Sequence, residues 1–119
     1  KVEDFGIGFF TKYGDGGVDI SPIADLLKTE VYTIGKELNI AQDIIDAPPT
    51  DGLWENDKTD EDQIGATYPE LEWAMSFEGD FNLLEKREKE VLNIYRNLNR
   101  VNQHKIKEIP VCFIPLNLK

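Results

Sequence analysis

A mainly α-helical fold is what these 119 residues predict. Two stretches, residues 23–38 and 85–99, repeat apolar side chains at spacings of three and four, which places them on one helical face. Pro22 stands just before the first stretch and Asn39 just after it, where helices start and stop.

Taken in order, residues 3–10 read as the end of a helix that stops at a turn containing Gly14, Gly16 and Gly17. Residues 19–22 are extended or turning, because Pro22 keeps Ser21 away from helical geometry. Pro22 then suits the first turn of a helix. Ile23, Leu26, Leu27, Val31, Ile34 and Leu38 continue it as one apolar face, and Asn39 is a credible end. Residues 41–46 read as a short helix stopped by Pro48 and Pro49. The next stretch, 48–60, is polar, acidic and rich in turn formers, a composition typical of a functional lid or mobile connection. Trp54 sets it apart from a plain linker, since a large aromatic there should find something to pack on. Thr59 with Asp62 three residues later is a helix start of the capping-box type. Pro69 opens a further helix through Leu71, Trp73, Ala74 and Met75, and residues 78–80 break it. Residues 85–99 form a strongly amphipathic helix with Val91, Leu92, Ile94, Tyr95 and Leu98 on one side. Pro110 and Pro115 keep the tail from being helical.

Composition narrows the function. A hydrophobic content of 40% permits a core, and a formal net charge of −10 argues against a chain that holds nucleic acid by its phosphates. The apolar runs are far shorter than a membrane span, and no signal-peptide pattern opens the sequence. The single cysteine, Cys112, rules out an internal disulfide framework and fits a reducing cytoplasm. It sits in an apolar tail and reads as a small hydrophobe. With His104 the only histidine, a His/Cys zinc cluster is excluded within these residues. Charge is uneven: residues 43–62 carry eight acids against Lys58, whereas residues 85–106 carry six bases against Glu85, Glu88 and Glu90. The two stretches either pair, within a subunit or across a dimer, or are two solvated faces.

The richest segment chemically is residues 8–19, with two adjacent aromatics, Lys12, Asp15, Asp19 and glycines at 14, 16 and 17. Such glycines let a ligand approach the main chain. Equally, Asp-Gly and Gly-Gly are ordinary turn signals.

GFFTKYGDGGVDISPIADLLKTEVY, then PPTDGLW, TDEDQIG and NQHKIK, in that order and at similar spacing, resemble the C-terminal half of ammonia-dependent NAD synthetases, of the N-type ATP pyrophosphatase family. The resemblance runs from about residue 1 to about residue 107. It implies an α/β fold for the intact enzyme, a parallel sheet with flanking helices of the adenine nucleotide alpha-hydrolase-like kind. The sheet and a Ser-Gly-Gly-x-Asp-Ser phosphate loop are then expected upstream. These residues would be the C-terminal part of a single synthetase domain, with 48–60 as a mobile substrate lid.

The implied reaction is ATP-dependent amidation of deamido-NAD to NAD through an adenylate, with ammonia as nitrogen donor and AMP and pyrophosphate released. The resemblance also implies Mg2+, ATP as co-substrate, a homodimer and a cytoplasmic location. By the family's pattern Lys12, Asp15 and His104 contact deamido-NAD. Lys28 and Thr50 bind ATP phosphates, with Asp19 close to the nucleotide pocket. Glu3 or Asp4 binds the metal, and Trp54, Asp60 and Glu61 belong to the lid. On residue type alone, Asp15 and Asp19 also serve as turn formers, Lys28 as a surface helix charge, Thr50 as a cap and His104 as a structural side chain. Gln103 stands where the family commonly has an acid, which removes a His-acid pair. No residue reads as an obligate acid-base catalyst. Two other readings remain: the synthetase domain of a glutamine-dependent enzyme, and a non-catalytic acidic helical interaction domain.

Overall fold

The computed structural model describes residues 5–14, 16–50 and 58–119. Among them every regular element is helical. Six α-helices follow one another: α1 Lys28–Glu37, α2 Gln42–Ile45, α3 Asp60–Ile64, α4 Tyr68–Ser76, α5 Lys86–Val101 and α6 Gln103–Ile106. Short 3-10 turns at Phe81–Leu83 and Leu116–Leu118 complete the set.

Capping side chains decide where these helices begin. Thr59 Oγ1 accepts from the Asp62 N–H at 3.2 Å, and the Asp62 carboxylate accepts from the Thr59 N–H at 3.1 Å. The hydrogen bond from the Thr59 hydroxyl, then that from its N–H, hold the Asp62 carboxyl below its ordinary range. Thr67 and Glu70 repeat the arrangement for α4, one residue ahead of the start that Pro69 marks. At Glu85 the N–H donates to the Glu88 carboxylate at 2.7 Å, and α5 then runs to Val101, two residues past the apolar repeat. Gly65, at φ +82°, closes α3 in the left-handed region that favours glycine.

The long helix expected from Pro22 is shorter than its apolar repeat. Residues 22–25 are a turn, Leu27 is extended (φ −71°, ψ 158°), and α1 starts at Lys28. The reason is again a cap: the Glu30 carboxylate accepts from the Leu27 N–H at 2.7 Å. A second carboxylate, Glu72 of α4, accepts from the Thr29 N–H at 3.0 Å and from its hydroxyl at 2.7 Å. At the other end Asn39 has φ +53°. Its N–H bonds Lys36 O and the Ile40 N–H bonds Gly35 O, the paired hydrogen bonds of a Schellman stop.

The core lies between α4 and α5. Leu71, Ala74, Val91 and Leu92 are buried there with Tyr68, Ile64 and Ala66. Ile7, fully buried, reaches into it from the N-terminal segment, with Phe9 partly buried beside it. Arg87 closes the outer edge by a bidentate pair with Glu70, both contacts at 2.8 Å. Arg87, through hydrogen bonds and charge, holds the Glu70 carboxyl down at about 2. Arg87 also reaches Glu90 at 3.1 Å, so this basic residue pairs with α4 and its own helix. No helix among the described residues is long and apolar enough to cross a membrane.

Candidate functional site

The glycine-rich segment is built by its own backbone and by α5 and α6. Thr11 O accepts from the N–H groups of Gly14 and Gly16, each at 3.1 Å, and Gly14 O accepts from Gly17 at 2.9 Å. A Cβ on Gly16 would lie 2.6 Å from Phe10 Cε2 and 2.7 Å from Lys12 O. The turn itself therefore requires glycine there. Gly8 has φ +66°, and a Cβ on it would stand 2.6 Å from Asn102 Cβ.

That close approach reflects a ladder of hydrogen bonds. Asn99 Nδ2 donates to Gly6 O at 2.6 Å, and Asn102 Nδ2 donates to Ile7 O at 2.8 Å. Lys105 Nζ donates to Gly8 O at 3.0 Å and Phe10 O at 2.9 Å. Residues 99, 102 and 105 lie three apart along the end of α5 and α6, and they meet the consecutive carbonyls of Gly6, Ile7 and Gly8. Buried or half-buried carbonyls left without a donor are costly, and these side chains supply one to each.

Beside the turn opens a groove of about 630 Å³. Phe10, Tyr13 and Ile20 give it apolar wall, and Lys12, Lys105 and Lys107 give it positive charge against Glu108. Lys12 is half-buried, with its ammonium 5.3 Å from the Tyr13 ring centroid. Flat apolar surface with a few ammonium groups suits an anionic ligand that carries a ring. His104 sits exposed on α6. Asp19 is exposed beyond the turn.

A second cluster surrounds Tyr68, which is only 4% exposed. Its hydroxyl donates to Asp60 at 3.0 Å and its N–H to Glu61 at 2.7 Å. The Lys28 ammonium lies 5.2 Å from the Tyr68 ring centroid and 5.8 Å from that of Tyr32. Asp60 N–H also donates to Pro49 O at 3.0 Å, which joins the two ends of the 48–60 stretch beside this cluster. Thr50 is exposed, next to Pro49. The expected site residues thus fall into two places: Lys12 at the groove, and Lys28, Asp60 and Glu61 around Tyr68. Glu3, Asp4, Asp15 and Trp54 lie outside the described residues. Among the described residues no three His, Cys, Asp or Glu side chains converge as a metal cage.

Sequence reasoning overlooked Asn99, Asn102, Tyr68 and Glu72. The two asparagines carried a signal, amides one turn apart where α5 nears its end. Their partners, some ninety residues away, did not show in any local pattern.

Residues 1–110 match the profile of the NAD synthase family. The chain belongs to that family. A curated relative from Syntrophomonas wolfei subsp. wolfei, described as NH(3)-dependent NAD(+) synthetase, is 40% identical over 113 residues, covering 95% of this chain and 42% of its own length. A relative of the same description from Carboxydothermus hydrogenoformans is 39% identical over 108 residues, 88% of this chain and 41% of its own. A third, from Methanococcoides burtonii, is 53% identical over 66 residues, 56% of this chain and 25% of its own. The chain therefore spans about two fifths of the length of the first of these relatives. The glycine-rich groove and the Lys28 cluster both lie within the matched residues.

Proposed function

We propose that residues 1–119 are the C-terminal part of a single NAD synthetase domain, which makes NAD from deamido-NAD, ATP and ammonia. The observation that carries this reading is the glycine-rich segment, folded as the wall of a lysine-bearing groove inside a match to NH(3)-dependent NAD(+) synthetases. The intact enzyme would be α/β, a parallel sheet with flanking helices, working as a cytoplasmic homodimer.

The chemistry needs two steps. The nicotinate carboxylate of deamido-NAD attacks the α-phosphorus of ATP, an O–P bond forms and pyrophosphate leaves. Ammonia then attacks the activated carbonyl, a C–N bond forms, AMP leaves and a proton passes to solvent. Neither step demands a strong acid or base. Both demand that crowded anions be held together, so positioning and electrostatics carry the rate.

Lys12, Asp15 and His104 would hold deamido-NAD. Lys28 and Thr50, with Asp19 nearby, would hold ATP, the Lys28 ammonium offsetting charge on the departing pyrophosphate. Tyr32 and Tyr68 face that ammonium with their rings, an arrangement that favours its positive charge. Residues 48–60, with Trp54, Asp60 and Glu61, would close over the filled site and exclude water that otherwise hydrolyses the adenylate. Mg2+ accompanying ATP would offset charge on its phosphates when held by a protein carboxylate. Glu3 or Asp4 is the proposed ligand.

The test is a product analysis with the intact protein, deamido-NAD, ATP and an ammonium salt. NAD, AMP and pyrophosphate in equal amounts are expected. Release of ADP would overturn the adenylate route. A glutamine-supported rate as high as the ammonia rate would move the assignment to a glutamine-dependent synthetase.

A further inference from the structure

We infer that Gln103 and Asn99 form a positioning relay that sets the glycine-rich wall of the groove. Its consequence for substrate rests on the functional reading above. Gln103 Nε2 donates to Asn99 Oδ1 at 2.8 Å and to Asn99 O at 3.0 Å. Asn99 Nδ2 in turn donates to Gly6 O at 2.6 Å.

The orientations of both amides follow from their partners. Gly6 O and Asn99 O are main-chain carbonyls and can only accept. The Asn99 atom facing Gly6 must then be the NH2, which turns Oδ1 toward Gln103. The Gln103 atom facing Asn99 O must likewise be its NH2, the one group there able to serve both oxygens. Each amide fixes the other, and both side chains are half-buried.

What the relay holds is the start of the substrate segment. Gly6, Ile7 and Gly8 are buried, and their carbonyls bond in sequence to Asn99, Asn102 and Lys105. Phe10 and Lys12 of the groove follow directly along the chain. An acid at 103 has no hydrogen to donate when ionised. Its oxygens would face Asn99 O and Oδ1, driving the Asn99 amide to turn over and present Oδ1 to Gly6 O, acceptor against acceptor.

The experiment compares intact wild-type protein with Gln103→Glu, Asn99→Ala and the double variant. Hydrogen–deuterium exchange of ligand-free protein reads the relay, and separate titrations with deamido-NAD and ATP read its effect. Expected are faster exchange across residues 5–17 in Gln103→Glu, and roughly two- to tenfold weaker deamido-NAD binding, the scale of one lost hydrogen bond. ATP affinity should hold, and Gln103→Glu should add little once Asn99 is Ala. Unchanged exchange in Gln103→Glu, additive effects of the two changes, or equal weakening of both ligands would overturn the relay. Wild-type protein that binds no deamido-NAD would overturn the functional reading instead, and the exchange arm would still decide the relay.

Discussion

Residues 60–101 and residues 18–46 are both helical and both well punctuated, yet only the first region is packed. In the first, Leu71, Ala74, Val91 and Leu92 are sealed between α4 and α5. In the second, α1 and α2 bury no residue, and Leu38 and Ile44 are each 68% exposed. The caps are equally good: Thr59 and Thr67 in one region, Glu30 and the Asn39 stop in the other. Local hydrogen bonding therefore places helix ends in both regions, whereas stability comes from buried apolar area, which is present in one. The Lys28 cluster sits where the two regions meet, whereas the groove lies between the glycine segment with residues 18–23 and residues 105–109. Thr29 is tied to Glu72, and the glycine segment is tied to Asn99, Asn102 and Lys105.

The largest expected effect breaks the packed region. Leu71→Ala should cost about 2–5 kcal/mol, the range for a fully buried leucine. Leu38→Ala should stay within about 0.5 kcal/mol, as exposed substitutions do. Urea unfolding of the two variants checks this. Equal losses would mean that Leu38 is covered in solution, and the comparison would fail.

A pair of glycines sharpens it. Gly8→Ala forces a left-handed alanine against Asn102 and should cost about 1–3 kcal/mol. Gly35→Ala, inside α1 with only ordinary contacts to Ile45, should stabilise by about 0.5–1 kcal/mol. Thermal melts of both would show opposite signs.

Much of this was legible beforehand, and the reasons are physical. Thr59 with Asp62, Asn39 and the α5 face act within one or two turns, so the sequence carries them whole. The delayed start of α1 was not legible, because the apolar repeat from Ile23 to Leu38 says nothing of where Glu30 and Glu72 direct their carboxylates. Asp60 and Glu61 suggested a lid, but their bonds to Tyr68 needed the fold. The role of Lys105 needed the fold as well, since its ammonium serves the Gly8 and Phe10 carbonyls more than ninety residues away.

A smaller effect concerns pH. The Glu70 carboxyl is lowered from 4.5 to about 2 by Arg87, so its stabilising contribution is complete above pH 4.5 and disappears as pH falls through 2. Both side chains are substantially exposed, which limits the contribution to about 1 kcal/mol or less. Glu70→Gln should flatten the stability profile between pH 2 and 4.5 and lower stability slightly at neutral pH. An unchanged acid limb would remove the pair from the account.

The most direct test of the central claim, that the groove and the Lys28 cluster serve different substrates, is paired titration of the intact protein with deamido-NAD and with ATP. Lys12→Ala should weaken deamido-NAD by about 2–5 kcal/mol, as lost charged partners in desolvated sites do, and leave ATP nearly unchanged. Lys28→Ala should do the reverse. Equal weakening of both ligands by both variants would contradict the division.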